Sequence, residues 1–325
     1  MREVSIKDVA TKSGYGVGTV SRVLSGDKSV KDSTREKILK TIDELHYVRN
    51  VNGARLRTKH SGVIAIMVPI INHPFFAEFV EALEEEANQA GCSLLLITSQ
   101  MNKEKEGEIL LKIKQHEIDG AIFVTHYEHD EKELEGCPLV SIDRHLPGNV
   151  PLVTSDNYGS TMKALETFYA HGARRIGFVG TKPTVESEVS QRKKAYDDFI
   201  AEKNLPDLSK WEDVSHGQET KLVEAFLKEH PDLDAVFASN IMVAATVYAL
   251  SIQNGKRFPE DLELISYDGT SQIWSGNPID CVRQDIRLMA KIAFSTLQDL
   301  IEERECQPIN IIPTTLILGK TSKAK

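Results

Sequence analysis

The hydrophobic positions in the first 24 residues recur at helical spacing on either side of a break that contains two glycines. Ile6 and Val9 share one helical face, and Val17, Val20 and Leu24 line the inner face of a second stretch. A glycine break ends one helix and allows a tight turn before the next. The pattern therefore predicts two short helices in a helix-turn-helix arrangement.

The sequence also predicts where these helices begin. Ser5, followed three residues later by Asp8, predicts a capping box at the start of the first helix. A third helix is expected to begin with Asp32 or Ser33 as its cap, and apolar residues recur at helical spacing up to Leu45. The basic stretch that follows has little apolar content, which predicts a linker or a helix that forms only on contact with DNA.

The pattern changes after residue 61. The continuous apolar run 62–69 is typical of a strand that is buried on both faces. Further strands are predicted at 93–98, 120–125, 138–142, 175–180, 235–239, 262–267 and 309–318, and helices at 75–90, 104–116, 158–171, 190–203, 219–230, 241–254 and 286–303. This alternation predicts a doubly wound α/β body with parallel sheets. Its length of about 265 residues exceeds a typical single core, so two lobes are expected.

The predicted organisation is a small all-α head at 1–48, a hinge helix or linker at 49–61 and a two-lobed body at 62–325. The composition, 41% hydrophobic and 27% charged, is that of a globular protein. The chain has no apolar run long enough to cross a bilayer and no signal segment, which predicts no membrane association and a cytoplasmic location. Its four cysteines are scattered, which predicts reduced thiols and no zinc site.

Charge separates the head from the body. Residues 1–60 contain thirteen Lys and Arg against seven Asp and Glu, a net charge of +6, whereas the whole chain carries −9, which leaves −15 for the rest. A basic head can neutralise phosphates, while an acidic body is repelled by DNA. Small polar groups and Arg22 on the outer face of the second helix suit a major groove. The alternative is a small basic helical domain without a nucleic-acid partner.

Polar residues follow the predicted strands of the body where those strands end. Ligands of open α/β sheets bind beyond the carboxyl ends of the strands, and carboxylates, amides and guanidinium groups can hold vicinal hydroxyls while aromatic rings stack on a sugar or base. The candidate effector-binding residues are Asn72, Phe75, Phe76, Asp143, Arg192, Asn240, Asp268 and Trp274. Each has an ordinary alternative, since an Asp after a strand is often a cap and an aromatic pair is often core.

A catalytic role has little support. The sequence has no nucleophile elbow, HExxH motif, P-loop or GxGxxG motif, and its histidines show no metal-ligand spacing. Asp143 and Asp268 could in principle form a glycosidase pair, but nothing in the sequence selects hydrolysis over binding. We therefore expect a protein that is not an enzyme and that needs no cofactor or metal.

The chain closely resembles the lactose/galactose-repressor (LacI/GalR) family of bacterial transcription regulators over essentially its whole length. The segments that carry the resemblance are IKDVA at 6–10, TVSRVL at 19–24, STREK at 33–37 and ELHY at 44–47 in the head, and PFFA at 74–77, IDG at 118–120, SDN at 155–157, RRIG at 174–177 and LISYD at 264–268 in the body. The body segments are similar to the periplasmic-binding-protein-like effector fold.

The resemblance implies a homodimer that places its second helix in the major groove of a near-palindromic operator and wedges Leu56 into the minor groove. The residues expected at the DNA are Ser5, Lys7, Val17, Gly18, Thr19, Ser21, Arg22, Thr34, Tyr47, Asn50, Arg55 and Leu56. It also implies that Asp143, Arg192, Asn240 and Asp268, with the two phenylalanines, hold a small sugar.

The sequence departs from the family pattern at several positions. Glycines flank Val17, Arg49 stands where the family generally has proline, Gly53 enters the hinge, and Ile241 stands where the family has aspartate. We therefore expect the operator contacts and the rim of the pocket to differ from the family pattern at these positions.

The expected function is a repressor of a carbohydrate-utilisation operon under the control of a sugar or sugar phosphate. Two alternatives stay within regulation: a catabolite-control regulator that answers to a phosphorylated carrier protein, which the run 70–76 resembles, and a purine- or nucleoside-responsive repressor. An alternative of another class is a soluble sugar-binding receptor, which the helix-turn-helix disfavours.

Overall fold

The structure, a computed structural model, describes residues 4–47, 60–100, 102–125, 127–214, 217–269 and 279–323. The chain divides into two compact units, residues 1–61 and residues 62–325. They are called the head and the body below.

The head contains three helices, α1 (Ile6–Ser13), α2 (Val17–Leu24) and α3 (Asp32–Glu44). The predicted capping box is present, because the backbone N–H and the hydroxyl of Ser5 donate to Asp8 Oδ2 at 2.8 and 2.6 Å. The turn after α1 begins at Gly14, whose φ of 76° lies in the left-handed region that favours glycine. The predicted helix-turn-helix is therefore confirmed.

Two details of the head differ from the predictions. Val17 is 40% exposed, and the buried residues of α2 are Val20 and Val23, which lie three positions apart and so share one helical face. The N-cap of α3 is Lys31, and Asp32 lies inside the first turn, where its charge complements the helix dipole.

The body is an α/β structure with two parallel-dominated sheets, and that prediction is confirmed. Its strands are β1 (Val63–Val68), β2 (Ser93–Thr98), β3 (Gly120–Phe123), β4 (Leu139–Ile142), β5 (Leu152–Ser155), β6 (Ile176–Thr181), β7 (Leu208–Glu212), β8 (Ala235–Ala238), β9 (Glu263–Gly269), β10 (Asp280–Gln284), β11 (Ile309–Ile312) and β12 (Thr314–Ile317). Its helices are α4 (Pro74–Gln89), α5 (Lys103–Lys114), α6 (Glu131–Leu134), α7 (Asn157–Ala170), α8 (Ser190–Lys203), α9 (Glu219–Glu229), α10 (Ile241–Gln253) and α11 (Ile286–Ile301).

Each lobe is built on one sheet. In the described residues, the strand order is β11-β5-β4-β3-β1-β2 in lobe 1 and β12-β10-β9-β8-β6-β7 in lobe 2. The chain passes between the lobes after β5, after β10 and after β11. Helix α11 therefore returns to lobe 1, where Met289, Ala293 and Leu297 are completely buried in the core beside β1 and α4.

The prediction of one strand at 309–318 was wrong. Ile309–Ile312 pairs parallel with β5 in lobe 1, whereas Thr314–Ile317 pairs antiparallel with β10 in lobe 2. Pro313 lies between them and has no N–H to donate to a sheet, so the chain changes lobe there. Strands β5, β7 and β10 and the single-turn helix α6 were not predicted, because they are short and β7 and β10 mix charged with apolar residues.

Candidate functional site

A cavity of about 240 Å³ lies between the two lobes of the body, where the strands of both sheets end. Lobe 1 contributes residues that follow β1, β3 and β4, and lobe 2 contributes residues that follow β6 and β8 or end β9 and β10. A site of this kind, at the carboxyl ends of parallel strands, is where α/β folds bind small molecules.

Six of the eight predicted effector-binding residues line this cavity. They are Phe75, Phe76, Asp143, Arg192, Asn240 and Asp268. Asn72 is exposed in the loop before α4 and is not among the lining residues. Trp274 lies outside the described residues.

The two phenylalanines form an apolar wall at the start of α4. Phe75 is buried and stacks on Phe79 of the lobe 1 core, with ring centroids 6.0 Å apart. Phe76 is half-buried and meets Phe75 edge to face at 5.5 Å. His73 Nδ1 caps the helix by accepting from the Phe75 N–H. The core therefore fixes one ring, and that ring positions the other beside the cavity.

The Arg192 side chain contacts four residues that fix its position. It is 3% exposed, its Nε donates to Asn157 Oδ1 at 2.7 Å and its Nη1 donates to the Ser239 carbonyl at 2.6 Å. Its Nη2 lies 3.3 Å from Asp268 Oδ1, and its guanidinium carbon lies 3.6 Å from the centre of the Tyr267 ring. A guanidinium so engaged is a fixed charge that orders its neighbours.

Asp268 is the penultimate residue of β9 and has a φ of 65°, a left-handed conformation that turns its side chain out of the strand pattern. Its Oδ1 also accepts from Gln284 Nε2 at 2.6 Å, and Gln284 Oε1 in turn accepts from the Ser155 hydroxyl at 2.5 Å. Ser155 belongs to β5 of lobe 1, so these hydrogen bonds connect the site to both lobes.

Asp143 follows β4 with a φ of 57°. Its Oδ1 accepts from the Thr154 hydroxyl at 2.6 Å, and its carbonyl accepts from the Glu188 N–H of lobe 2 at 2.8 Å. Burial raises the pKa of the Asp143 carboxyl to about 6, although the Thr154 hydroxyl and the Arg192 guanidinium each lower it. This carboxylate therefore changes charge close to neutral pH.

Asn240 caps α10. Its Oδ1 accepts from the Val243 N–H at 3.0 Å, which fixes the amide so that Nδ2 is the group left to donate to a ligand. This donor lines the same cavity as the acceptors on the two aspartates, an arrangement suited to hydroxyl groups, which both donate and accept.

Sequence reasoning missed several lining residues. Gln284 ends a strand that was not predicted, and Arg144, although it follows Asp143 at the end of a predicted strand, was not among the predicted effector-binding residues. Asn157 and Thr154 were also missed, although they orient Arg192 and Asp143. The only available signal for Arg144 was its place next to a predicted ligand-binding residue.

The predicted DNA-binding residues of the head differ in exposure. Lys7, Val17, Gly18 and Arg22 are exposed, and Ser5, Thr19, Ser21, Thr34 and Tyr47 are partly buried. Tyr47 packs against the head core and Ser5 is engaged in the capping box. Asn50, Arg55 and Leu56 lie outside the described residues, as do Arg49 and Gly53.

The described residues hold no group of His, Cys, Asp or Glu side chains arranged to bind a metal ion. All four cysteines are free thiols. Among the helices of the described ranges, none has the length and apolar content needed to cross a membrane.

Comparisons with known proteins identify both units. Residues 5–50 match the model of bacterial regulatory proteins of the LacI family, and residues 61–310 match the periplasmic binding proteins and sugar binding domain of the LacI family. The chain is 31% identical to the ribose operon repressor of Halalkalibacterium halodurans, covering 98% of this chain and 97% of the relative. It is 29% identical to catabolite control protein A of Priestia megaterium, covering 82% and 83%.

Solved structures agree on the fold. The lac repressor dimer bound to operator and the anti-inducer ONPF superposes with a TM-score of 0.85 at 21% identity, over 99% of this chain and 100% of that one. The family models match most of the chain, and the ribose operon repressor matches along 97% of its own length. The chain therefore belongs to the LacI family of bacterial DNA-binding transcriptional regulators, which are not enzymes.

Proposed function

We propose that the protein represses a carbohydrate-utilisation operon, binds a palindromic operator as a homodimer and is controlled by a sugar or sugar phosphate in the cleft between its lobes. The observation that carries this proposal is the convergence of Asp143, Arg192, Asn240 and Asp268 on one cavity. Such a regulator acts on chromosomal DNA and so works in the cytoplasm.

The chemistry of the cavity supports a polyhydroxylated ligand. Asp143 and Asp268 offer acceptors, Asn240 offers a donor, and hydroxyl groups on adjacent carbons can satisfy both at once. The half-buried ring of Phe76 offers an apolar surface for the carbon face of a sugar. Relatives with the same domain organisation are named ribose and sucrose operon repressors.

The surface of the head supports DNA binding through α2. Val17, Gly18 and Arg22 are exposed on this helix, and the first 60 residues carry a net charge of +6. Phosphate contacts made by such a head release counterions, so operator affinity falls steeply with salt. The role of Leu56 as a minor-groove wedge stays a prediction.

An exposed apolar edge supports the homodimer. Strand β2 lies at the edge of the lobe 1 sheet, and Leu95 and Leu96 on it are exposed. An uncovered edge strand with leucine side chains favours association, and a second copy of the chain is the occupant we propose.

A second candidate function is catabolite control through a phosphorylated carrier protein. The identity of 29% to catabolite control protein A favours it. The complete set of hydroxyl-binding groups in the cleft favours a small-molecule effector instead.

A thermal-shift screen of the full-length protein with sugars, sugar phosphates, purines and a phosphorylated carrier protein tests the proposal. A ligand that binds the native state raises the melting temperature by mass action. We expect a sugar or sugar phosphate to raise it and to change operator affinity in a gel-shift assay. Stabilisation by the carrier protein or a purine alone would refute the proposed effector class.

A further inference from the structure

We infer that Asn157 and Thr154, which are not among the residues that line the cavity, are positioning residues of the effector site. They form a hydrogen-bonded relay that begins at Arg192 in lobe 2 and ends at Asp143 in lobe 1. The relay favours the ionised form of the Asp143 carboxyl, which accepts hydrogen bonds from ligand hydroxyls. This inference rests on the proposed function and adds to it the residues that set the charge of one ligand-binding group.

The chemistry of Arg192 fixes the direction of each hydrogen bond in the relay. Its Nε can only donate, so the Asn157 atom that lies 2.7 Å away is Oδ1. The Asn157 amide nitrogen therefore faces Thr154 and donates to its Oγ1 at 3.2 Å. The Thr154 hydroxyl keeps its own proton for Asp143 Oδ1, which lies 2.6 Å away. Each donor thus points from the guanidinium toward the carboxylate.

The relay lies where the chain first passes from one lobe to the other. Thr154 and Ser155 end β5 in lobe 1, and Asn157 begins α7, which packs in lobe 2. Asn157 Nδ2 also donates to the Ser155 carbonyl at 3.0 Å, so this amide joins the two lobes. Asn157 and Thr154 are each 2% exposed, and hydrogen bonds in such surroundings strengthen one another along a chain.

The charged groups around Asp143 show what the relay contributes. Burial is the main reason that the pKa of Asp143 rises to about 6, and the Asp268 and Glu188 carboxylates add to the rise. The Thr154 hydroxyl opposes this rise in pKa most strongly, followed by the Arg192 guanidinium. The relay therefore joins the two groups that favour the carboxylate.

The rival explanation is a purely structural role, in which Asn157 satisfies Arg192 Nε and the Ser155 carbonyl and does nothing more. Loss of Asn157 would then lower the free energy of unfolding and leave the titration of Asp143 unchanged. The relay predicts instead that Asn157 alters this titration, and that it does so through Thr154.

A titration of the Asp143 carboxyl in the full-length protein, without ligand, separates the two explanations. Aspartate labelled with ¹³C at the carboxyl carbon is followed by NMR, and Asp143→Asn assigns the signal. Thr154→Val should raise the midpoint by about one pH unit, because a hydrogen bond to the charged form is lost. Asn157→Ala should raise the midpoint by a smaller amount, because it weakens that hydrogen bond without removing it.

The variant that carries both changes identifies the route. If Asn157 acts through Thr154, the double variant should shift the midpoint no further than Thr154→Val does alone. Thr154→Ser keeps the hydroxyl and should keep the wild-type midpoint, and Thr154→Ala is the second variant if Thr154→Val does not fold. The matched control is Thr167→Val, which removes an exposed hydroxyl of α7 that donates to the Lys163 carbonyl at 2.8 Å.

The second measurement is the affinity for D-ribose, D-glucose and sucrose, obtained by calorimetry at pH 6 and pH 8. For a sugar that binds the wild-type protein, a midpoint raised by one unit removes most of the carboxylate at pH 6 and little of it at pH 8. Thr154→Val should therefore weaken binding about fivefold at pH 6 and less than about twofold at pH 8. A structural defect would weaken binding equally at both.

An unchanged midpoint in Thr154→Val or in Asn157→Ala would overturn the inference, and so would shifts that add in the double variant. Failure of all three sugars to bind would instead count against the proposed function, and the midpoints measured without ligand would still decide whether the relay exists.

Discussion

Asp268 and Gln284 are joined by a hydrogen bond of 2.6 Å from the Gln284 amide to Asp268 Oδ1, the same oxygen that lies 3.3 Å from Arg192. Gln284 also accepts from Ser155 of lobe 1. The carboxylate in the proposed site is thus connected through one side chain to the opposite lobe. A ligand that competes for Asp268 would weaken these hydrogen bonds between the lobes. Effector binding would in this way change how the two lobes are arranged.

Asp268→Asn should weaken effector binding by about 1.5–3 kcal/mol, since a hydrogen bond to a charged group is lost. Operator affinity without effector should be retained. Calorimetry with the sugar identified in the thermal screen measures the first, and a gel-shift assay measures the second. Asp232→Asn, which alters an exposed carboxylate, is the control. Unchanged effector affinity in Asp268→Asn would exclude the cavity as the effector site.

Arg192→Ala should lower the free energy of unfolding by about 3–5 kcal/mol, because it leaves the buried Asp268 carboxylate without its positive partner. Urea denaturation followed by circular dichroism measures this loss. Arg175→Ala breaks an exposed ion pair instead and should cost about 1 kcal/mol or less. Equal losses in the two variants would contradict the structural role of Arg192.

The raised pKa of Asp143 predicts a pH dependence of stability. The folded state holds the proton up to about pH 6, whereas the unfolded chain releases it near 3.8. The folded state therefore binds more protons in this window, and the free energy of unfolding should fall as pH rises from about 4 to 6. Asp143→Asn should lack this contribution. Chemical denaturation of both proteins across the window measures the difference.

The same group should make effector binding depend on pH in the opposite sense. An ionised Asp143 accepts hydrogen bonds from ligand hydroxyls, so the affinity for a neutral sugar should increase as pH rises through about 6. Calorimetric titrations of the protein with the sugar at pH 5 and pH 7 would measure this change in affinity. A pH-independent affinity that Asp143→Asn leaves unchanged would mean that the carboxylate does not contact the ligand.

Arg22→Gln should weaken specific operator binding by about 1–3 kcal/mol, as expected for an exposed arginine on α2 that reads a base. Lys112→Gln, which removes an exposed lysine of the body, should have no effect. Fluorescence anisotropy with operator and with unrelated DNA would separate specific from nonspecific binding. Equal weakening on both DNAs would assign Arg22 to the phosphate backbone.

Apolar periodicity and the strand-end rule were sufficient to predict much of the lining of the candidate site. The residues Asp143, Asn240 and Asp268 follow or end strands whose apolar runs are obvious, so their convergence could be predicted. Gln284 could not be found in this way, because Asp280–Gln284 mixes polar and apolar residues and its pairing with β9 and β12 depends on distant segments.

The contacts of Arg192, and the lack of hydrogen-bond partners for Arg144 Nε and Nη1 among the described residues, could not be predicted from the sequence for another reason. Both depend on rotamers and on backbone groups, such as the Ser239 carbonyl, that no residue pattern encodes. Val17 is another residue whose surroundings the sequence pattern did not predict. Its spacing fits the inner face of α2, but it stands in the first turn and points outward.

The return of the chain to lobe 1 through α11 and β11 has a consequence for synthesis on the ribosome. The lobe 1 core includes Met289, Leu297 and Ile312, so a nascent chain that ends before these residues cannot close that core. The head, by contrast, has its own core within the first 47 residues. A polypeptide released early by a premature stop would therefore keep a folded, basic head while its body stays incomplete and unable to bind an effector.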